Sequence, residues 1–211
     1  EDAIDIDQVG RVTADVAFET VGDLQDGLIG VYTKFDMKRE VAMAAYYTDE
    51  TSEGTDSGGQ GRTTGHIFNL NATSAAASTF WYNGYSRLNA VNRIIEAAEL
   101  IEDSTEKNNI LGQAYALRAF AHFQMLCYYS TDYTNDSALA VILQEAVPSI
   151  ADKLLRNTNG EVYASISSDL ATAEGLLTNQ SDATFVSKDF TLALRARMAA
   201  YRQDYAAAQP L

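Results

Sequence analysis

Apolar residues recur at helical spacing along most of the chain. The first such stripe consists of Leu24, Leu28, Val31 and Phe35. These positions fall at i, i+4, i+7 and i+11, so they share one face and predict a helix over about residues 21–35. Similar spacing predicts further helices over about residues 38–49, 78–101 and 107–129. The helix over 107–129 is apolar almost all round from Ala114 onward, which is typical of a buried, central helix.

The second half of the chain continues the helical pattern. A stripe at spacings of 4, 4, 3 and 4 is made of Val162, Ile166, Leu170, Ala173 and Leu177. Ser187 is a favourable N-cap for a helix that runs to about residue 201, and a short helical start follows at 205–208. Between the two halves, residues 139–143 form an apolar run that predicts a short extended segment.

An internal repeat links two of the predicted helices. Ala116-Leu117-Arg118-Ala119 recurs as Ala193-Leu194-Arg195-Ala196, and each copy leads to an Asp-Tyr pair. Helix pairs whose small residues allow close approach are typical of tetratricopeptide-type packing. The chain has only 2 prolines, which suits helices. The pattern therefore predicts an all-α stack of helical hairpins.

Length and charge limit the partners. The chain has 211 residues, which suits one globular domain, and 46% of them are hydrophobic. Its formal net charge is −14, so it repels phosphate, and nonspecific nucleic-acid binding is disfavoured. The same charge disfavours anionic lipid, so membrane attachment would have to be covalent. No apolar run approaches 18 residues.

Reactive side chains are few and scattered. Cys127 is the single cysteine and lies in an apolar stretch, so we interpret it as a core residue and not as a nucleophile. His66 and His122 have no partner at ligand spacing, which excludes a zinc signature. Asp49 and Glu50 are adjacent, so on a helix they point apart and are poor acid/base partners. We therefore predict no catalytic residue, no metal site, no cofactor and no enzymatic activity.

The aromatic segment at residues 80–85 is the main candidate for binding chemistry. It follows a long polar loop at residues 51–61, a length that is typical of functional or disordered loops. Aromatic faces cover the apolar side of sugar rings, and amides fix hydroxyls. Trp81 and Tyr85 lie four residues apart on the inner stripe, so they either pack in the hydrophobic core or form a platform for a ligand. Tyr82 and Asn83 lie off that stripe and are the stronger surface candidates.

Five motifs in order resemble the SusD/RagB family of outer-membrane nutrient-binding lipoproteins. They lie at residues 4–7 with 18–20 and 30–32, at 81–85 with Asn89 and 92–95, at 112–123, at 162–166 with Asp169-Leu170 and Ala173, and at 193–197 with Asp204-Tyr205. The run Gly112-Gln113-Ala114 is similar to a family stretch that often has an acid where this chain has Gln113. The resemblance covers the chain essentially from end to end.

The resemblance implies a fold and a role. The fold would be a tetratricopeptide-like, right-handed bundle of helical hairpins. The role would be non-enzymatic capture of oligosaccharides or polysaccharides, or of other nutrients, at the surface of a Gram-negative cell. The ligand would pass to a SusC-like TonB-dependent transporter. Attachment would be to the outer membrane through an N-terminal lipid on a cysteine absent from this chain.

Length separates this chain from the family that it resembles. Family members are usually more than twice as long, so we expect residues 1–211 to be the N-terminal helical domain, without the C-terminal part. The binding residues implied for this half are Trp81, Tyr82, Asn83 and Tyr85. An alternative is a helical-repeat scaffold that docks a protein partner, the transporter, without ligand contacts of its own.

Overall fold

The fold is known from a computed structural model that describes residues 17–52, 54, 71, 74–178 and 182–210. The helices of this described part, in chain order, are α1 (Val21–Lys34), α2 (Lys38–Tyr46), α3 (Ala75–Ala98), α4 (Thr105–Tyr129), α5 (Asn159–Leu176), α6 (Lys188–Tyr201) and α7 (Tyr205–Ala208). The prediction of an all-α chain is confirmed. Residues 1–16, His66 and most of the polar loop at 51–61 lie outside the described residues.

Side-chain caps fix where the helices begin. Thr20 accepts a hydrogen bond from the backbone N–H of Asp23, whose carboxylate accepts one from the N–H of Thr20. Ser187 accepts from the N–H of Phe190, so its predicted role as N-cap is confirmed. The helix that carries the apolar stripe from Val162 begins at Asn159, because Thr158 forms a capping box with Glu161. The apolar stripe alone carries no signal for this start.

Helix α4 is the centre of the molecule. It packs against α3 on one side and α5 on the other, and it also contacts α1 and α6. Most of its residues from Ile110 to Leu126 are buried. The predicted central helix is therefore confirmed. Consecutive helices also contact each other in the pairs α3 with α4 and α5 with α6, as a stack of helical hairpins requires.

The predicted extended run at residues 139–143 is present as a short antiparallel pairing. Leu139 forms an isolated bridge with Thr158, and the N–H of Ala140 donates to the carbonyl of Asn157 over 2.8 Å. The N–H of Asn157 donates to the carbonyl of Val141 over 2.7 Å. This pairing holds the connection between α4 and α5 against the helices. Gln144 and Pro148 of the same connection line a groove along α3.

Buried polar side chains tie three helices together. The guanidinium of Arg118 on α4 donates to both carboxylate oxygens of Asp169 on α5, at 2.8 and 2.6 Å. It also donates to the amide oxygen of Asn92 on α3, at 3.1 Å. The amide nitrogen of Asn92 then donates to the carbonyls of Gln144 and Ala146. The network fixes the position of α3 relative to the segment that follows α4.

No helix in the described part of the chain is both long enough and apolar enough to cross a membrane.

Candidate functional site

Helix α3 presents the aromatic segment in two different environments. The side chain of Tyr82 is 72% exposed, whereas Trp81, Asn83 and Tyr85 are half-buried. A helix turns by about 100° per residue, so Tyr82 points away from the stripe that packs on α4. Tyr82 therefore offers an open aromatic face to solvent.

Trp81 and Tyr85 pack at the edge of the core. The ring of Trp81 meets the rings of Tyr85 and Tyr129 edge-on, each with centroids 4.9 Å apart. The hydroxyl of Tyr85 accepts from the N–H of Ile142 at 2.8 Å and donates to the carbonyl of the same residue at 3.2 Å. Burial raises the pKa of Tyr85, since the phenolate would lose its hydration. Both residues keep one edge toward the surface.

A groove runs along the exposed side of α3. Its main part is a cavity of about 520 Å³, which we call the α3 groove, and its lining consists of Lys34, Tyr85, Ser86, Asn89, Ala90, Arg93, Gln144 and Pro148. A second cavity of about 220 Å³ adjoins it and is lined by Lys34, Asp36, Asn83, Ser86 and Arg87. The two cavities share Lys34 and Ser86, so Asn83 and Tyr85 contribute to one continuous surface.

The groove displays hydroxyl, amide and cationic groups next to an aromatic face. Tyr82, Ser86, Asn89 and Arg93 follow at spacings of 4, 3 and 4, so they lie on one face of α3. The amide oxygen of Asn89 accepts from Nε of Arg93 at 2.9 Å, which orients both side chains. Aromatic faces together with amides and charged groups are the chemistry that binds sugars in water.

Sequence reasoning did not assign Ser86, Asn89 or Arg93 to the binding site, although Asn89 and Arg93 belong to one of the five motifs. A signal for them was present, because they continue the solvent-facing stripe that begins at Tyr82. Lys34 carried no such signal. It joins the groove only because α1 packs on α3, which brings its ammonium nitrogen within 3.3 Å of Oγ of Ser86.

The remaining chemical candidates have unreactive surroundings. Cys127 is half-buried, and burial raises the pKa of its thiol to about 12, which keeps the thiol protonated at neutral pH. His122 is fully buried and accepts from the N–H of Gln144; burial and the charge of Arg118 lower its pKa to about 3. Asp49 and Glu50 are exposed.

No group of three or more His, Cys, Asp or Glu side chains in the described ranges is arranged to hold a metal ion.

A separate cavity of about 340 Å³ lies between α2, α4 and α6. It is lined by Glu40, Phe123, Gln124, Cys127, Tyr128, Tyr133, Arg197 and Tyr201. The carboxylate of Glu40 already accepts from the amide of Gln124 at 2.6 Å and from the hydroxyl of Tyr128 at 2.8 Å. The carboxylate of Glu40 is therefore already hydrogen-bonded within the protein, whereas the aromatic face of Tyr82 is open to solvent.

Comparisons with known proteins agree on one family. A SusD-like family model, described as "starch-binding associating with outer membrane", matches residues 5–201. A curated relative, SusD-like protein P2 of Formosa agariphila, is 26% identical over 172 residues. These residues make up 79% of this chain and 33% of the relative.

Solved structures share the fold. A SusD superfamily protein from Bacteroides fragilis superposes with a TM-score of 0.77 at 18% identity, over 92% of this chain and 49% of that protein. A SusD-like carbohydrate binding protein from Bacteroides vulgatus gives a TM-score of 0.75 at 21% identity, over 92% of this chain and 44% of that protein. The chain thus spans about a third of the curated relative and less than half of each structure.

Proposed function

This chain belongs to the SusD-like family, described as starch-binding and associating with the outer membrane, and from that membership we propose that it binds glycans at the cell surface without enzymatic activity. The observation that carries the proposal is Tyr82, an aromatic side chain 72% exposed on the face of α3 that continues through Ser86, Asn89 and Arg93 into the α3 groove. Single exposed aromatic rings are common on protein surfaces. What distinguishes Tyr82 is that its helix face also carries the hydroxyl, amide and cationic groups suited to sugar hydroxyls.

The aromatic segment divides the work of binding between its members. Tyr82 and Asn83 supply ligand contacts, since Tyr82 is open and Asn83 lines the smaller cavity. Tyr85 contributes its exposed edge to the α3 groove, while its hydroxyl holds the segment at Ile142. Trp81 supports the other aromatic side chains from behind, through its edge-on contacts with Tyr85 and Tyr129.

Affinity electrophoresis of the full chain in gels that contain a panel of polysaccharides tests the proposal. We expect retardation by at least one polysaccharide, and Tyr82→Ala should weaken it by about tenfold, since stacking on an aromatic face contributes on the order of 1–2 kcal/mol. Tyr205→Ala is the matched control, because Tyr205 is 67% exposed on α7 and does not line the α3 groove.

The same electrophoresis experiment can also contradict the proposal. Absence of retardation by every polysaccharide contradicts glycan binding by this chain. Equal losses in Tyr82→Ala and Tyr205→Ala contradict the assignment of the site to α3. Neither substitution removes a buried side chain, so a loss of binding cannot be assigned to unfolding when the thermal melts of the variants and the wild type agree.

Cell-surface delivery completes the proposed role. We propose that residues 1–211 are the N-terminal helical domain of a lipid-anchored outer-membrane protein of a Gram-negative bacterium, which hands its ligand to a SusC-like TonB-dependent transporter. The family description, which associates its members with the outer membrane, supports this location. Co-purification of the transporter with the full-length protein tests the partnership.

A second candidate function is that of a scaffold that docks the transporter without ligand contacts of its own. The observation that favours it is an apolar patch after the extended run: Ile150 and Leu155 are fully or almost fully exposed, and Leu154 is 45% exposed. Capture of the transporter by this chain in the absence of glycan, with loss of capture in Leu155→Asp, would favour the scaffold.

A further inference from the structure

The α3 groove has a charge opposite to that of the chain as a whole. The chain carries 29 acidic and 15 basic side chains. Among the residues that the structure describes, the groove is nevertheless lined by two cations, Lys34 and Arg93, and by no carboxylate. A surface drawn at random from this chain would hold about twice as many acids as bases, so the lining of the groove departs from its surroundings.

Both cations keep their charge available to a ligand. Nζ of Lys34 donates to the neutral hydroxyl of Ser86 at 3.3 Å, and Nε of Arg93 donates to the neutral amide of Asn89 at 2.9 Å. Neither forms an ion pair with an acidic side chain in the described part of the chain. Both residues are exposed.

The nearest acid along α3 does not neutralise the groove. Glu96 follows Arg93 by three residues, but its carboxylate accepts from the N–H of Val147 at 2.7 Å and does not line the groove. Asp36 lines the smaller neighbouring cavity and lies 3.7 Å from the ammonium of Lys38. The described lining of the main cavity therefore brings two cations together within a negatively charged protein.

We propose that the α3 groove binds acidic glycans, with a carboxylate or sulfate group of the ligand held by Lys34 and Arg93. A guanidinium presents its N–H groups in a fork that matches carboxylate or sulfate oxygens, and an ammonium adds a compact charge. Asn89 and Gln144 supply amides for the hydroxyls of the sugars between these charges. The inference rests on the proposed function and names its substrate class.

The two cations bond to neighbouring positions of α3. Ser86, the contact of Lys34, and Asn89, the contact of Arg93, are three residues apart, which corresponds to about 4.5 Å along the helix axis. Duplex DNA carries about one charge per 1.7 Å, and two cations offset few of those charges against a net charge of −14. A sugar chain that brings one anionic group to this pair of cations fits the groove better.

Matched polysaccharide pairs test the inference with the full chain. Dextran sulfate is compared with dextran, and polygalacturonate with its methyl ester, so that each pair differs in charge while the sugar backbone stays the same. Affinities are measured at low and at physiological salt for the wild type, Lys34→Gln and Arg93→Gln. Lys188→Gln is the control, because it removes the same charge from an exposed position on α6.

The expected result is that one acidic member of a pair binds at least tenfold more tightly than its neutral counterpart. Lys34→Gln and Arg93→Gln should each weaken that binding about threefold to tenfold, whereas Lys188→Gln changes it by less than twofold. Higher salt should reduce the advantage of the acidic member. The pair that shows the advantage identifies the anion as sulfate or carboxylate.

Three outcomes would overturn the inference. If dextran or the methyl ester binds as tightly as its charged partner, the groove does not select for charge, while glycan binding itself stands. If Lys34→Gln and Arg93→Gln bind acidic glycan like the wild type, the site lies elsewhere. If the chain binds single-stranded DNA as tightly as the acidic glycan, the attraction is that of any polyanion. Binding to no polysaccharide would contradict the proposed function as well.

Discussion

For the aromatic segment of α3, the sequence predicts which side chain is exposed but not which hydrogen bonds the segment forms. The apolar stripe separates Tyr82 and Asn83 from Trp81 and Tyr85, and the structure gives Tyr82 the exposed position that this separation implies. The hydrogen-bond partner of Tyr85 cannot be predicted in this way. Its hydroxyl bonds to Ile142, 57 residues away, and no local pattern indicates such a contact. Exposure can be predicted from periodicity, whereas long-range partners depend on how the helices pack.

The buried ion pair between Arg118 and Asp169 is a second long-range contact that the sequence pattern does not predict. Both residues belong to motifs that could be identified in the sequence, yet their pairing across α4 and α5 could not be predicted from either motif alone. The pair is enclosed, with side chains 8% and 5% exposed. Two buried charges stabilise a fold only when both are present, because either one alone lacks both hydration and a partner.

Removing one member of this pair should therefore be costly. We expect Asp169→Ala to lower the free energy of unfolding by about 3–5 kcal/mol, since it leaves the guanidinium of Arg118 buried without its counterion. Asp136→Ala is the matched control: Asp136 pairs with Arg202 at 2.8 Å, but the pair is exposed, so the loss should stay below about 1 kcal/mol. Urea unfolding measures both, and similar losses would contradict the importance given to burial.

At the scale of elements, the helix stack depends on close approach. Gly112 on α4 faces α5 so closely that a Cβ atom would lie 3.0 Å from the backbone nitrogen of Leu177 and 3.2 Å from the carbonyl oxygen of Ala173. Gly84 on α3 likewise faces the side chain of Met125 on α4. The repeat of small residues indicated tight packing of this kind, but it could not show which glycine meets backbone.

Two glycine substitutions separate packing from helix propensity. Gly112→Ala should destabilise the protein by about 1–3 kcal/mol, because the backbone of α5 has to move to admit the methyl group. Gly30→Ala on α1 meets no atom within 4 Å, so it should stabilise the protein by about 0.5–1 kcal/mol through the better helix propensity of alanine. Thermal or urea unfolding gives both values, and a stabilised Gly112→Ala variant would refute the close contact between α4 and α5.

Helix ends were harder to predict than helix faces. The apolar stripe of α5 begins at Val162, whereas the cap at Thr158 starts the helix at Asn159. Asn159 is itself fully buried and donates to the carbonyl of Asn135. A polar residue that is buried because it bonds to a distant loop breaks no rule of helix formation, yet the apolar periodicity does not reveal it.

For the whole molecule, the net charge does not describe the charge of each surface that the fold creates. A net charge of −14 describes the average surface, whereas the described lining of the α3 groove holds Lys34 and Arg93 and no acid. Composition could exclude partners such as nucleic acid, but it could not locate a cationic groove, because Lys34 reaches that groove only through the packing of α1 on α3. The helical stack thus creates a surface whose chemistry differs from the chain average.

A glycan that binds on the exposed face of α3 should change the magnetic environment of the residues on that face. Nuclear magnetic resonance of the isotopically labelled full chain, titrated separately with maltoheptaose and with a galacturonate heptamer, detects such a change. We expect at least one of the two to shift the backbone signals of Tyr82, Ser86, Asn89 and Arg93 together with Lys34, and we expect Tyr82→Ala to weaken this response. Shifts confined to the cavity around Cys127 or to the patch at Ile150, or no shift with either oligosaccharide, would contradict glycan binding on this face of α3.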